Sequence, residues 1–221
     1  MEWLGEAGGV AQRWLIALGG VEGAIALALL LSVMMVAPGR RMLMAGIVLQ
    51  SLLLAAVAAR YSPVGWAAIR LLTGICVAAM WWLSALMVRW GDRGLPWASW
   101  RWPPLSARAL LRLTLLSFAA FILLVARLWL PLPDGAAPLS PLVTWMLAVA
   151  LLSLALTDEP LLAGVALLWG LEAFHLVWSA LGYDALGEGM LGILKLALGV
   201  AIAYLIIVSG VRWRRLREVE Q

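Results

Sequence analysis

Two residues that can carry a proton, Glu172 and His175, lie in the stretch LLWGLEAFHLVW at 167–178, which is otherwise apolar. A charged side chain deep in a bilayer is costly, so such residues usually face a protein interior and serve a function there. Because they are three positions apart, a helix would place both on one face. The pattern therefore predicts part of a proton or ion path.

Lys195 is expected to lie opposite Glu172 on the next helix, as the third candidate residue of that path. Glu172 precedes Gly182 by ten residues and Lys195 follows Gly187 by eight, which correspond to about 15 and 12 Å of α-helix. Two antiparallel helices would thus bring the carboxylate and the amine to a similar depth. The sequence leaves two interpretations open, an ion relay and a structural ion pair that fixes helix packing.

Three further polar residues, Gln50, Arg70 and Glu22, are secondary candidates. Gln50 and Arg70 lie in mid-helix about 15 and 10 Å from the turn at 60–63, and form the corresponding polar pair of an earlier hairpin. Gln50 cannot titrate, and the guanidinium of Arg70 is a fixed charge rather than a proton carrier. Glu22 lies near the end of the first apolar segment, within reach of water. With one histidine and one cysteine in the chain, neither a metal site nor a bound cofactor is predicted.

The elements that must position these residues are transmembrane helices. Of 221 residues, 65% are hydrophobic and 13% are charged, which is far from the composition of a soluble domain. The apolar runs are continuous and rich in Ala and Leu, which favours helices over strands. The sequence predicts an all-α membrane protein with about seven spans, at 19–37, 42–59, 63–88, 110–131, 140–156, 160–182 and 188–210.

The arginines predict the orientation of these spans. If seven spans alternate, one side carries Arg40, Arg41, Arg89, Arg93, Arg101, Arg108, Arg212, Arg214, Arg215 and Arg217. The other side has Arg13 and Arg60 in its loops and Arg127 near a span end. By the positive-inside rule the first side is cytoplasmic. We therefore expect a multi-pass protein of the cytoplasmic (inner) membrane, with its N-terminus outside and its C-terminus inside.

Residues 1–221 are expected to form one integral membrane domain that can be divided into two three-helix repeats, 19–88 and 140–210. A linking helix at 110–131 would join them. Each repeat has an Ala-Gly pair early in one helix, a polar residue in mid-helix and a cation on the returning helix. Identity between the two is slight, and apolar helices resemble one another by composition, so duplication and coincidence both remain open.

The longest hydrophilic stretch, at 89–108, has four tryptophans among its arginines. Nucleic-acid platforms use these residue types, but Trp and Arg are also the standard occupants of the membrane interface. An interfacial segment is the expectation, and no nucleic-acid partner is predicted. Since the chain has no nucleophile motif, phosphate loop or dinucleotide fingerprint, we do not expect it to be catalytic alone.

Two segments resemble known families. AGVALLWGLEAFHLVWSAL at 163–181, with its mid-helix glutamate, resembles the second helix of the subunit K family of NADH:quinone oxidoreductase. GRRMLMAGIVLQSLLLAAVAA at 39–59, with Gln50 and Ser51 in mid-helix, resembles the hydrogenase-4 component E family. Length and span number are more similar to component E.

The resemblance implies an accessory membrane subunit of a redox-driven complex that translocates protons or sodium ions. Its partners would be antiporter-like and other membrane subunits, together with the lipid bilayer. Glu172 matches the mid-helix glutamate of subunit K, whereas Lys195 stands where that family has a second glutamate. Because of this departure, an electrostatic or structural role is more plausible for this chain than for the subunit K family. The alternatives are a small transporter or channel that acts alone, and a membrane scaffold or anchor subunit.

Overall fold

A computed structural model describes residues 19–36, 40–87, 107–182 and 184–219, and this part of the chain is all-helical. It has one short 3-10 turn, Ala137–Leu139, and seven α-helices close to the predicted segments. The helices are α1 Val21–Val36, α2 Arg40–Ala58, α3 Val64–Met87, α4 Ala107–Ala126, α5 Ser140–Ala155, α6 Pro160–Leu181 and α7 Ala185–Val219. The all-α prediction is thereby confirmed for the described residues.

Helix ends follow from local sequence signals. Pro160 begins α6 and Pro141 lies in the first turn of α5, where a missing backbone N–H costs nothing. The carboxylate of Asp184 caps α7 by accepting hydrogen bonds from the backbone N–H groups of Leu186 at 3.3 Å and Gly187 at 3.1 Å. These caps fix where α7 starts, and with it the position of the polar residues in its first turns.

Five of the helices are long and apolar enough to cross a membrane. These spans are Gly65–Met87, Ala107–Ala126, Ala137–Ala155, Pro160–Leu181 and Ala185–Gly210. Two further apolar stretches are shorter, Val21–Val36, which is α1, and Met42–Ala58, which is most of α2. The described part therefore has the character of a multi-pass membrane protein, whose apolar outer surfaces suit contact with lipid.

The helices pack in two layers of three. One layer is formed by α1, α2 and α3 side by side, and the other by α5, α6 and α7. Across the layers α1 packs on α5, α2 on α6 and, most extensively, α3 on α7. Helix α4 lies outside both layers against α1 and α5, and Leu116 is its one buried residue. The polar faces of α6 and α7 therefore meet α3 inside the bundle.

Gly199 allows α3 and α7 to approach closely. A Cβ atom added there would lie 2.8 Å from Met80 Cε and 3.0 Å from Val77 Cγ2. At the same place the indole N–H of Trp81 donates a 2.8 Å hydrogen bond to the carbonyl oxygen of Gly199. This contact holds in register the two helices that carry Arg70 and Lys195.

Some predicted features fall on other parts of the chain. The interfacial stretch at 89–108 lies outside the described residues except for its last two positions, and so do the residues before 19. Most of the arginines used to predict the orientation belong to these parts or to residues whose side chains are not described. Membrane orientation therefore stays a prediction.

Candidate functional site

A buried cluster of charged and polar side chains lies between α3, α6 and α7. Each member is at most 4% exposed. Spacings of three and seven residues place the α6 members on one face, and a spacing of seven does the same on α7. We call this set the buried ion cluster, and its members are Arg70, Glu172, His175, Ser179, Glu188 and Lys195.

The first part of the cluster is the pair of Glu172 and Lys195. The ammonium Nζ of Lys195 donates a 2.7 Å hydrogen bond to Glu172 Oε2, and both side chains are buried. Both face the interior of the bundle. The structure thus brings together the two residues that were expected at similar depth, about 15 Å along their helices from the α6–α7 turn.

The second part of the cluster is centred on Glu188, in the first turn of α7. Its Oε1 accepts hydrogen bonds from Arg70 Nη2 at 2.6 Å and from Ser179 Oγ at 2.5 Å. Its Oε2 accepts from Arg70 Nη2 at 2.8 Å and Arg70 Nε at 3.2 Å, and lies 2.6 Å from His175 Nε2. Arg70 Nη2 also contacts Ser179 Oγ. The carboxylate is therefore held on both oxygens by groups from α3 and α6.

Glu188 was not among the residues singled out from the sequence. Its stretch, GEGMLG at 187–192, lies in the first turns of α7. A usable signal was present, because Glu188 precedes Lys195 by seven residues and thus shares its helix face. Glu188 lies only about 5 Å from the start of α7, closer to the helix end than the mid-helix depths at which polar residues attract notice in the sequence.

His175 lies between the two parts of the cluster. Its Nε2 contacts Glu188, and the charges of Arg70, Glu172 and Lys195 act on the ring. Two buried nitrogens of the cluster, His175 Nδ1 and Arg70 Nη1, have no hydrogen-bond partner among the described residues. Buried polar atoms are rarely left unpaired. These two nitrogens therefore mark the positions where the cluster can bind a further hydrogen-bond partner or, at His175, a proton.

The secondary candidates are placed differently from the expected pairing of Gln50 with Arg70. Gln50, 1% exposed, accepts a 2.7 Å hydrogen bond at Oε1 from the indole N–H of Trp169. Arg70 binds Glu188 instead, in the other layer. Glu22 is exposed in the first turn of α1.

A narrow crevice lies at the opposite end of the bundle, where α1 and α5 end and α6 begins. Its volume is about 10 Å³, room for about one water molecule. Ser153 Oγ, which lines it, is buried without a partner among the described residues. Trp169 separates this crevice from the buried ion cluster, since it lines the crevice and lies one turn before Glu172. The lining residues are Met34, Met35, Arg112, Ser153, Thr157, Leu162, Val165 and Trp169.

The cluster is electrically balanced. The cations of Arg70 and Lys195 face the carboxylates of Glu188 and Glu172, each at bonding distance. Pairing of this kind lowers the cost of burial for all four groups. No group of three or more His, Cys, Asp or Glu side chains suited to a metal ion occurs in the described residues. The arrangement can therefore store charge and pass protons, and it can also fix helix packing.

The chain matches no protein family, no curated protein and no solved structure. The geometry of the buried ion cluster is therefore the basis on which a function can be proposed.

Proposed function

We propose that this protein is an accessory membrane subunit of a hydrogenase-4 or complex I-like complex that couples redox chemistry to translocation of protons or sodium ions. The buried ion cluster is its part of the ion path. The observation that carries the proposal is the Glu172–Lys195 pair, which lies inside the bundle beside His175 rather than toward lipid. Ionisable groups in that position usually serve ion or proton transfer.

The cluster provides a graded route into the membrane. Glu188 lies near the α6–α7 turn, His175 about one turn deeper, and the Glu172–Lys195 pair about one turn deeper again. Beyond the pair, the Gln50–Trp169 hydrogen bond leads to the crevice at the other end of the bundle. A path along these groups crosses the membrane region with one aromatic barrier, Trp169, before the crevice.

The proposal includes the membrane placement predicted from the sequence. All seven helices cross the cytoplasmic membrane, the α6–α7 turn lies outside and the crevice lies on the cytoplasmic side. The two layers correspond to the proposed repeats, with α1, α2 and α3 opposite α5, α6 and α7. The outlying helix α4 links them, and its exposed apolar side chains, such as Phe118 and Phe121, meet lipid or a neighbouring subunit.

A purely structural role is the second candidate, and one observation favours it. Every charge in the cluster has an opposite charge at bonding distance, as expected of ion pairs that fix helix packing. A transporter of larger solutes receives less support, because the crevice has room for about one water molecule.

The test is coupled ion translocation by the complete complex after substitution of Glu172. The chain is purified through an affinity tag with its membrane partners and reconstituted into vesicles. Glu172→Gln is expected to abolish translocation while assembly persists, and Glu22→Gln, an exposed glutamate, serves as the control. Recovery of the chain without antiporter-like partners would contradict the subunit assignment.

A second variant covers the case in which Glu172→Gln fails to assemble because Lys195 is left unpaired. Glu172→Gln combined with Lys195→Gln removes both charges and leaves no buried ion alone. If this double variant assembles and translocates like the natural protein, the pair has a structural role only and the relay is wrong.

A further inference from the structure

The buried ion cluster is poorly suited to sodium. Alkali and alkaline-earth cations prefer several oxygen ligands that are free of competing cations. Here both oxygens of Glu188 accept hydrogen bonds from Arg70, and Glu172 is bonded to Lys195 Nζ at 2.7 Å. A sodium ion would have to displace a covalently tethered cation from either carboxylate. The groups present favour an ion that needs one lone pair only, which is a proton.

The hydrogen bonds around Glu188 define which nitrogen of His175 carries a hydrogen. The guanidinium of Arg70 can only donate, and it donates to both carboxylate oxygens. Glu188 therefore acts as an acceptor at Oε2, 2.6 Å from His175 Nε2. The ring must donate across that distance, so its hydrogen is on Nε2 and the lone pair of the neutral ring is on Nδ1.

The remaining nitrogen, Nδ1, is in a position to gain and lose a proton. It is buried and has no partner among the described residues. The charged groups that face the ring are Arg70 from α3, Glu188 and Lys195 from α7, and Glu172 from α6 itself. Two carboxylates and two cations leave the surroundings neutral, so a proton on Nδ1 changes the charge of the whole cluster from zero to plus one.

We propose that the translocated ion is a proton and that His175 Nδ1 accepts it, an inference that rests on the proposed ion path. A hydronium ion that enters from the α6–α7 end gives its proton to the Nδ1 lone pair and leaves as water, while the Nε2–H bond to Glu188 stays intact. Nδ1 then passes the proton to the carboxylate of Glu172, the one member of the Glu172–Lys195 pair that can accept it. Glu188 and Arg70 are positioning residues, since they hold the ring in the Nε2–H form. His175 is the proton carrier.

The chain offers a direct test because it contains one histidine. The full chain is labelled with nitrogen-15 histidine, purified through a tag that contains no histidine and placed in lipid vesicles. Nuclear magnetic resonance then distinguishes a protonated from a nonprotonated ring nitrogen. We expect hydrogen on Nε2 alone at high pH, and reversible protonation of Nδ1 as the pH falls, with identical results in sodium and potassium salts.

Two variants distinguish a role of Glu188 in setting the hydrogen position of His175 from a role in helix packing alone. Glu188→Gln is expected to remove the preference for the Nε2–H form, because the amide can donate as well as accept. Glu172→Gln is expected to preserve that preference, because Glu172 does not contact Nε2. Hydrogen on Nδ1 in the neutral ring, an Nδ1 that never titrates, or a signal that responds to sodium at constant pH would each overturn the inference.

The outcome is independent of the translocation experiment. If Glu172→Gln with Lys195→Gln translocates normally, the proposed function fails whatever the form of His175. If the ring has the wrong tautomer while Glu172→Gln abolishes translocation, the ion path stands and the inference about His175 fails.

Discussion

The two hairpins of the molecule, α2–α3 and α6–α7, have the same pattern of polar residues, but these residues bond within the hairpin in one case and to the other hairpin in the other case. Each has a polar residue in mid-helix and a cation on the returning helix. In α6–α7 these two side chains bond to each other, as Glu172 and Lys195. In α2–α3 they do not, because Gln50 bonds to Trp169 and Arg70 to Glu188, both in the second hairpin.

Charge balance explains the difference. Gln50 is neutral and cannot compensate Arg70, so the buried guanidinium needs a carboxylate from the other layer. Glu188 supplies it from seven residues before Lys195, whereas the residue seven before Arg70 is Pro63. The second hairpin therefore holds all the groups of the cluster that can change their charge. The first hairpin contributes the permanently charged Arg70, and it is attached to the second through Arg70 and Gln50. Similar patterns in one chain need not form similar sites.

The largest expected effect comes from breaking the contact between layers at Arg70. Arg70→Leu leaves the carboxylate of Glu188 buried without its main partner, and we expect a loss of about 3–5 kcal/mol in unfolding free energy. The measurement is denaturant unfolding in lipid-detergent micelles. Arg60→Leu, an exposed arginine at the α2–α3 turn, is the matched control, with a change within about 0.5 kcal/mol.

Adding Glu188→Leu to Arg70→Leu sharpens this result. The double variant removes both charges and should recover much of the loss, because no buried ion is left alone. An exposed ion pair typically contributes less than about 1 kcal/mol. A cost of that size for Arg70→Leu would show that charge compensation between Arg70 and Glu188 does not hold the two hairpins together.

The helices and one ion pair were predictable from the sequence. Glycine, proline and charged residues interrupt the apolar runs close to every observed helix end, and a constant rise per residue placed Glu172 and Lys195 at similar depth. Both signals are local or involve adjacent helices joined by a short turn. This explains why the pair could be located without knowledge of the packing of the other helices.

The centre of the cluster could not be located in this way. The contact of Arg70 with Glu188 spans 118 positions in the chain and depends on which helices pack across the layers. Hydrophobic patterns carry little information about that choice, since α3 and α7 are apolar around most of their circumference. The Gln50–Arg70 pair was expected from hairpin proximity, and charge compensation across the layers overrides it.

A smaller effect is expected from separating α3 and α7 at Gly199. Gly199→Val places side-chain atoms against Met80 and Val77, and overpacking of this kind costs about 1–3 kcal/mol. Gly192→Val is the control, because the same helix has open space at Gly192. The unfolding free energies of both variants, measured in the same micelles, should differ by that amount. Equal losses would show that helix propensity, and not the approach of α3, sets the cost.

The smallest effect is expected at Gln50, where the first hairpin meets the second without charge. Gln50→Leu leaves the indole N–H of Trp169 unpaired and should cost about 1 kcal/mol, the lower end of the penalty for a buried donor without an acceptor. Trp169→Phe removes the donor as well, so the two substitutions together should cost less than the sum of the single ones. Strict additivity would mean that the 2.7 Å bond contributes nothing. A measurable coupling would instead show that the first hairpin attaches to the second at a neutral contact as well as at a charged one.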